Sequence, residues 1–363
     1  MTSELVEPFT RALAERPKSE DQRFIGWFCT YTPVELILAA GFTPVRITGG
    51  GEATGQADLL TPGFLCPYLR RAVEKGLAGE YGFLSGIVQG YTCDAACGLV
   101  NIWAENIGGL INHTLPLPYQ DSPAAREFLR ACLIELAEKL EAAGGEFSIT
   151  RLEEASALYT EIREMALVLY ERRYRGGLDL SAREFLDVVR AGQVTPPEEY
   201  RNHMRELLVA LEDRPIRPGR PVLVSGSVIE EPRVLDILEE CGGRVAADDL
   251  CSGWRGLVPP AGAGADPLAR LVDRYMRRAP CPARSRAEDR AAVIFDLLGK
   301  SRAEGVIFLL QKFCTPHLGD LPTLTDLLKA KGLPVLVVEL EETGVSEGQL
   351  RTRFESFFEI MEP

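Results

Sequence analysis

The stretch GVIFLLQKFCTPHLGDLPTLTDLLKAKGLPVLVVELE, residues 305–341, decides the fold. It opens on an apolar run, passes Cys314, turns helical from Leu321 to Lys331 and closes on a second apolar run at 334–341. A strand that is apolar along its length is covered on both faces, and two such strands joined through a helix make a parallel βαβ unit. Upstream, VLVSGS (222–227), the helix EPRVLDILEEC (231–241) and RVAADDL (244–250) repeat the alternation. A Gly/Pro/Ala loop at 258–267 and a helix pair over 266–299 follow them.

The first half has the same form. Strands are expected at PVRITG (44–49), SGIVQG (85–90) and HTLPLP (113–118), with helices around Pro33 to Ala40, Cys66 to Lys75 and Ala96 to Asn106. A longer helix from Ser122 to Ala143 ends at Gly144 and Gly145 and carries Cys132 on its apolar face. From Thr150 to about Glu212 the pattern is helical only, and the proline-rich RPIRPGRP (214–221) marks the clearest boundary. The expected organisation is an α/β domain at 1–149, a helical connector at 150–213 and a second α/β domain at 214–363.

Composition narrows the function classes. With 363 residues, 46% hydrophobic and 26% charged, the chain suits a soluble globular protein of two or three domains. A net charge of −13 argues against broad capture of nucleic acid or an anionic membrane. An anionic substrate would need a local basic pocket, to which LRR (69–71) and WRG (254–256) are candidate contributors. The first residues have no apolar signal segment and no stretch gives 18 uninterrupted apolar residues, so a cytoplasmic protein is expected, its nine cysteines reduced or bound to metal.

Cysteine placement carries the functional signal, because open α/β sheets bind ligands beyond the carboxyl ends of their strands. Cys93, Cys251 and Cys314 each follow an expected strand, while Cys29 and Cys66 stand at loop-to-helix junctions and Cys281 lies in a proline-flanked loop. The helix start beside Cys66 is expected to favour a thiolate. Cys132 and Cys241 fit core or helix-end packing, and Cys97, four residues after Cys93, is ambiguous. For each of these thiols the competing reading is a small buried residue. No CxxC pair occurs, which counts against a zinc site, and Val100 stands where a CxxxCxxC loop needs its third cysteine. Thiolates drawn from distant segments suit an iron–sulfur cluster.

The segments FCTYTPVELILAAGFTPVRI (28–47), LCPYLR (65–70), YTCDA (91–95), DDLCSG (248–253) and LLQKFCTPHLGDLPTLTDLLKAKGLPVLVVELE (309–341) together resemble the D-component side of the 2-hydroxyacyl-CoA dehydratase and benzoyl-CoA reductase family. That resemblance implies two flavodoxin-like parallel-sheet domains joined by a helical connector, with an iron–sulfur cluster between them. It implies a cubane on Cys66, Cys93 and Cys314. With Cys29, Cys251 and Cys281 in addition, the chain looks more like the double-cubane branch, whose 8Fe–9S cluster takes three cysteines per cubane. Cys93 is then a ligand and Cys97 is not required.

The resemblance further implies an ATP-hydrolysing iron–sulfur activator, a homodimer and a small-molecule substrate. The chain has no GxxxxGK[ST] and so is not itself the ATPase. The expected activity is reduction of small molecules at low potential. The alternatives are a single 4Fe–4S 2-hydroxyacyl-CoA dehydratase subunit, or a non-catalytic electron relay. His317 is the candidate proton donor, with His113 as the other; Tyr31, Tyr91 and Gln311 are candidate donors around the cysteines.

Overall fold

In the computed structural model, the described residues are 2–15, 22–50, 54–211, 217–340 and 346–361. Parts of RPIRPGRP and of the glycine-rich TGGGEATG (48–55) lie outside them, as does the last residue of the expected strand at 334–341.

The first half contains α1 (Thr2–Ala14), β1 (Phe24–Trp27), α2 (Val34–Ala39), β2 (Thr43–Arg46), α3 (Ala57–Leu60), α4 (Pro67–Leu77), β3 (Leu84–Gly90), α5 (Asp94–Asn106), β4 (Ile111–Leu115) and α6 (Pro123–Ala142). Three helices follow, α7 (Ile149–Tyr174), α8 (Ala182–Ala191) and α9 (Pro197–Ala210). The second half contains β5 (Arg220–Gly226), α10 (Arg233–Glu240), β6 (Gly243–Leu250), α11 (Pro267–Met276), α12 (Ala287–Ser301), β7 (Gly305–Gln311), α13 (Thr315–Lys329), β8 (Val335–Leu340) and α14 (Glu347–Ile360). Local chemistry sets several of the helix starts. Ser122, Ser148 and Asp266 each accept a hydrogen bond from the third backbone amide of the helix they precede, and Ser181 with Glu184 forms a reciprocal capping box.

Both sheets are four-stranded and wholly parallel, in the orders β2-β1-β3-β4 and β6-β5-β7-β8. The protein is therefore α/β with two flavodoxin-like sheets of matching strand order. Each sheet is covered on both faces, as parallel sheets require. Helices α2, α6 and α11 bury one face of the first sheet, and α4 and α5 the other. Helices α10 and α14 cover one face of the second sheet, while α7, α8, α9 and α12 supply the core on its other side. Cores do not follow chain order: α11 comes from the second half, yet Leu268, Leu271, Val272 and Tyr275 pack with Ile25 and Leu36 of the first. Among the described residues no helix is long and apolar enough to cross a membrane.

Several elements depart from the sequence expectation: α1, β1, α3 and α14 are not among the expected elements, and α13 differs in placement. Strand β1 is central in its sheet, but its four residues include Gly26, which weakens the strand pattern. A Cβ there would stand 2.7 Å from Ile47 and 2.8 Å from Leu84, so glycine permits the close packing. Helix α13 starts at Thr315 rather than Leu321. Pro316 occupies its first turn, where no intrahelical donor is needed, and Pro322 is accommodated inside the helix.

Gly86 is one position where only glycine fits. Its φ is +151° and a Cβ would stand 1.8 Å from the carbonyl oxygen of Ile111, its register partner across β3 and β4. Gly86→Ala is expected to lower stability by about 3 kcal/mol through overpacking. Urea denaturation checks this, and a loss below about 1 kcal/mol would show that β4 can slide aside.

Candidate functional site

The carboxyl ends of the two sheets meet at one cavity. Cys29 follows β1, Cys251 follows β6, Cys281 lies in the loop between α11 and α12, and Cys66, Cys93 and Cys314 stand immediately before α4, α5 and α13. All six line this cavity, three from each half of the chain. It encloses about 110 Å³, several times the roughly 10–15 Å³ that a single water needs. Cys97 lies one turn along α5, Cys132 is buried in the core between α6 and the first sheet, and Cys241 ends α10; none of the three lines the cavity.

Of the charges around these thiols, the sequence pattern indicated only Arg255, through WRG. Arg46, Arg255 and Arg278 also line the cavity, and among the described residues no aspartate or glutamate stands in its wall. Arg46 is 3% exposed; its Nη2 donates to Cys251 Sγ at 3.7 Å and its Nη1 to the Cys251 carbonyl at 3.4 Å and Gln193 Oε1 at 2.9 Å. Arg278 donates to the carbonyls of Arg255 (2.9 Å) and Gly256 (3.2 Å) and lies over the rings of Tyr31 and Tyr275. Arg255 pairs with Asp249 at 3.4 Å and donates to the Gly226 carbonyl. Asp249 is shared with Arg290, which also reaches Asp320. Of the basic motifs, WRG thus delivers Arg255 to the cavity, whereas Arg70 and Arg71 of LRR pair with Asp58 and Glu231. A buried strand containing an arginine, as PVRITG does, was the one signal available for Arg46.

Electrostatics divides the thiols. Burial and then the facing Cys314 push Cys66 up to about 12, so the thiolate expected from its place at a helix start does not form by itself: desolvation outweighs the helix end. Cys93, Cys281 and Cys314 are likewise raised, chiefly by burial, Cys281 to about 12. Burial also acts to raise Cys251, but Arg46 and then Arg255 outweigh it and bring this thiol below its ordinary value, alone among the nine. Burial and the facing Cys251 raise Cys29. The first-turn amides of α4, α5 and α13 favour the thiolates of Cys66, Cys93 and Cys314 without closing a capping hydrogen bond.

This donor set fits an iron–sulfur group. Thiols held protonated by burial give up their protons only to a bound cation, and Arg46 and Arg278, buried with no ion-pair partner among the described residues, favour an anionic occupant. Among the described residues no three Cys, His, Asp or Glu side chains converge to hold a single ion. A cubane takes one thiolate per iron, so its ligands stand around a cage instead.

The remaining candidates separate clearly. His317 is buried in the cavity wall, 3.4 Å from Arg255 Nη2 through its Nε2. A guanidinium only donates, so Nε2 accepts and the ring proton sits on Nδ1. Burial, then Arg290 and Arg255, hold the imidazole well below its usual range, and it is neutral. What favours the Cys314 sulfur is the backbone N–H of His317 rather than its ring. His113 sits on β4, its Nδ1 3.1 Å from Lys139 Nζ, outside the cavity wall. Tyr31 and Gln311 line the cavity; Tyr91 is 47% exposed and does not. The Tyr31 hydroxyl donates to the Ala279 carbonyl, which ties the two halves at the cavity, and the Gln311 amide donates to the Val228 carbonyl within the second half.

Comparison with known proteins bears on this site. Residues 29–361 match the family described as 2-hydroxyglutaryl-CoA dehydratase, D-component. The chain is 28% identical to the beta subunit of (R)-phenyllactyl-CoA dehydratase from Clostridium sporogenes, over 99% of this chain and 97% of that one. It is 26% identical to the beta subunit of lactoyl-CoA dehydratase from Anaerotignum propionicum, over 93% and 91% of the two chains. It is also 26% identical to one of the subunits of benzoyl-CoA reductase from Thauera aromatica, over 94% and 91%.

Proposed function

The chain belongs to the 2-hydroxyglutaryl-CoA dehydratase D-component family, and from that membership we propose that it is an iron–sulfur reductase whose six cavity cysteines hold an 8Fe–9S double cubane. The coarser statement stands on the relatives alone: they are subunits of dehydratases and of a reductase, so this chain is an enzyme component of that kind. One observation carries the finer reading. Six thiols, three from each half, line a cavity with three guanidiniums and no carboxylate among the described residues, which supports an occupant needing more thiolates than a single cubane. Cys29, Cys251 and Cys281 take one side of this assignment and Cys66, Cys93 and Cys314 the other.

When bound, such a group supplies single electrons at low potential. The protein's own residues set the conditions for that chemistry. Phe28, Leu69, Val228 and Pro316 in the wall exclude water, which strengthens every charge interaction inside. Arg46, Arg255 and Arg278 offset the thiolate charge, and neutral His317 keeps a ring proton on Nδ1 beside the cavity. The proposal includes an ATP-hydrolysing iron–sulfur activator as electron source, a second copy of this chain as partner, a small molecule as electron acceptor and a cytoplasmic setting. The dehydratase reading is favoured by the names of two relatives, both dehydratase beta subunits.

The test is reduction of the anaerobically purified protein by an activator with and without ATP, followed by small unsaturated substrates. ATP-dependent bleaching followed by reoxidation on substrate addition is expected. Bleaching that no substrate reverses would leave an electron relay, and dehydration of a 2-hydroxyacyl-CoA by the isolated chain would replace reductase with dehydratase.

A further inference from the structure

The six thiols stand in two different electrostatic settings. Cys66, Cys93 and Cys314 each precede a helix and have its first-turn amides beside them. Arg255 lies within reach of both groups, acting on Cys314 as well as on Cys251 and Cys281, whereas the direct guanidinium–sulfur contact is made on the Cys29, Cys251 and Cys281 side. Arg46 donates to the Cys251 sulfur at 3.7 Å, and Arg255 and Arg278 line the same cavity.

Arg46 is held rigidly for this. Its backbone N–H donates to the Gln193 carbonyl at 2.7 Å, its Nη1 to the Gln193 side chain, and its guanidinium lies over the Trp27 ring at 5.2 Å. Gln193 in turn donates to the Ser252 carbonyl at 2.9 Å, so strand β2, the turn after α8 and the end of β6 are clamped together. No carboxylate of the described residues lies within ion-pair distance of Arg46 or of Arg278, whose hydrogen bonds go to carbonyls. Two buried guanidiniums without an ion-pair partner among the described residues therefore line the cavity, one of them in contact with the Cys251 sulfur.

We propose that Arg46 and Arg278 make the Cys29, Cys251 and Cys281 side of the cavity the place where the first electron settles, by stabilising the added negative charge there. This rests on the iron–sulfur reading above. The step is a one-electron transfer: the activator, or a chemical one-electron reductant, loses one electron and the bound group gains it, with no bond broken and no proton moved. Arg46 and Arg278 are positioning residues, acting through the charge they present rather than by contact with substrate. A fixed cation in a water-excluded wall acts far more strongly than one in solvent, and removing it shifts the electron equilibrium without removing a ligand.

The experiment uses the iron-loaded protein purified without oxygen. Iron is determined first, and reductive titration with titanium(III), followed by electron paramagnetic resonance, gives the equilibrium constant for the first electron. Arg46→Gln and Arg278→Gln are each expected to keep the wild-type iron and lower that constant at least tenfold, about 59 mV for one electron. Arg46→Lys, which keeps the charge, is expected to recover most of the loss. An unchanged constant in both Gln variants at full iron loading would overturn the proposal. If Arg46→Gln loses iron, Arg278→Gln decides alone, since its guanidinium bonds only to carbonyls. A wild-type protein without iron–sulfur signals would instead overturn the iron–sulfur reading, and this inference with it.

Discussion

Purified without oxygen, the protein is expected to carry about eight irons and about nine acid-labile sulfides per chain, and Cys251→Ala about half of each. The expectation follows from the division of the cavity thiols. Under the proposed division, removing Cys251 leaves Cys29 and Cys281 on one side, while Cys66, Cys93 and Cys314 keep their places before α4, α5 and α13. Cys251 is the most telling choice, being the thiol Arg46 touches and the one whose ionisation the surrounding cations favour. Cys29→Ala and Cys281→Ala should act in the same direction. Unchanged iron in all three variants, or about four irons in the wild type, would return the protein to a single cubane and make these three cysteines packing residues.

The largest effect on stability is expected at Glu35, on α2. This carboxylate is 1% exposed and joins three parts of the chain. Its Oε1 lies 2.6 Å from Arg163 Nη2 on α7 and 3.4 Å from Arg274 Nε on α11, and its Oε2 accepts from the Tyr275 hydroxyl at 2.8 Å. Burial alone would raise its pKa, but Arg163 and then Arg274 outweigh that and hold it at about 2, against an ordinary 4.5. Burial and the neighbouring Arg163 and Arg278 press Arg274 the other way, yet a guanidinium does not release its proton in a protein, so the group stays ionic. Glu35→Gln leaves two buried guanidiniums facing each other and is expected to cost about 3–5 kcal/mol, read from urea denaturation at neutral pH.

The pH dependence has a definite sign. A carboxyl depressed in the folded state contributes its stability fully above its unfolded value near 4.5 and loses it as pH falls toward about 2. The difference between wild type and Glu35→Gln should therefore shrink across that window. A difference that stays constant from neutral pH to about pH 3, or a cost below about 1 kcal/mol, would show that Glu35 does not hold these helices through its charge.

How much of this was legible depends on whether a feature is local. Seven of the eight strands among the described residues are visible as apolar runs, and the short β1 is hidden by Gly26. Proline placed the expected start of α13 more than a turn late, because Pro316 sits where a helix tolerates it. Cys132 and Cys241 were recognisable as packing residues from helix periodicity alone. His317 was visible as a neighbour of Cys314, but its neutrality was not: that comes from burial together with Arg290 and Arg255, distant in the chain.

What the sequence by itself determined is the alternation of strand and helix and the positions of cysteines at element ends, since apolar period and turn chemistry act over a few residues. That chemistry produced two parallel sheets of the same strand order. Only the tertiary structure decided that six of the nine thiols meet in one cavity, that Arg46 reaches the sulfur of Cys251 across 205 residues of chain, and that no described carboxylate shares the wall. The physical reason is that burial and charge pairing depend on which segments become neighbours. A pKa pushed up by desolvation, or pulled down by a guanidinium from the other half, belongs to the packed molecule and not to any stretch of its sequence.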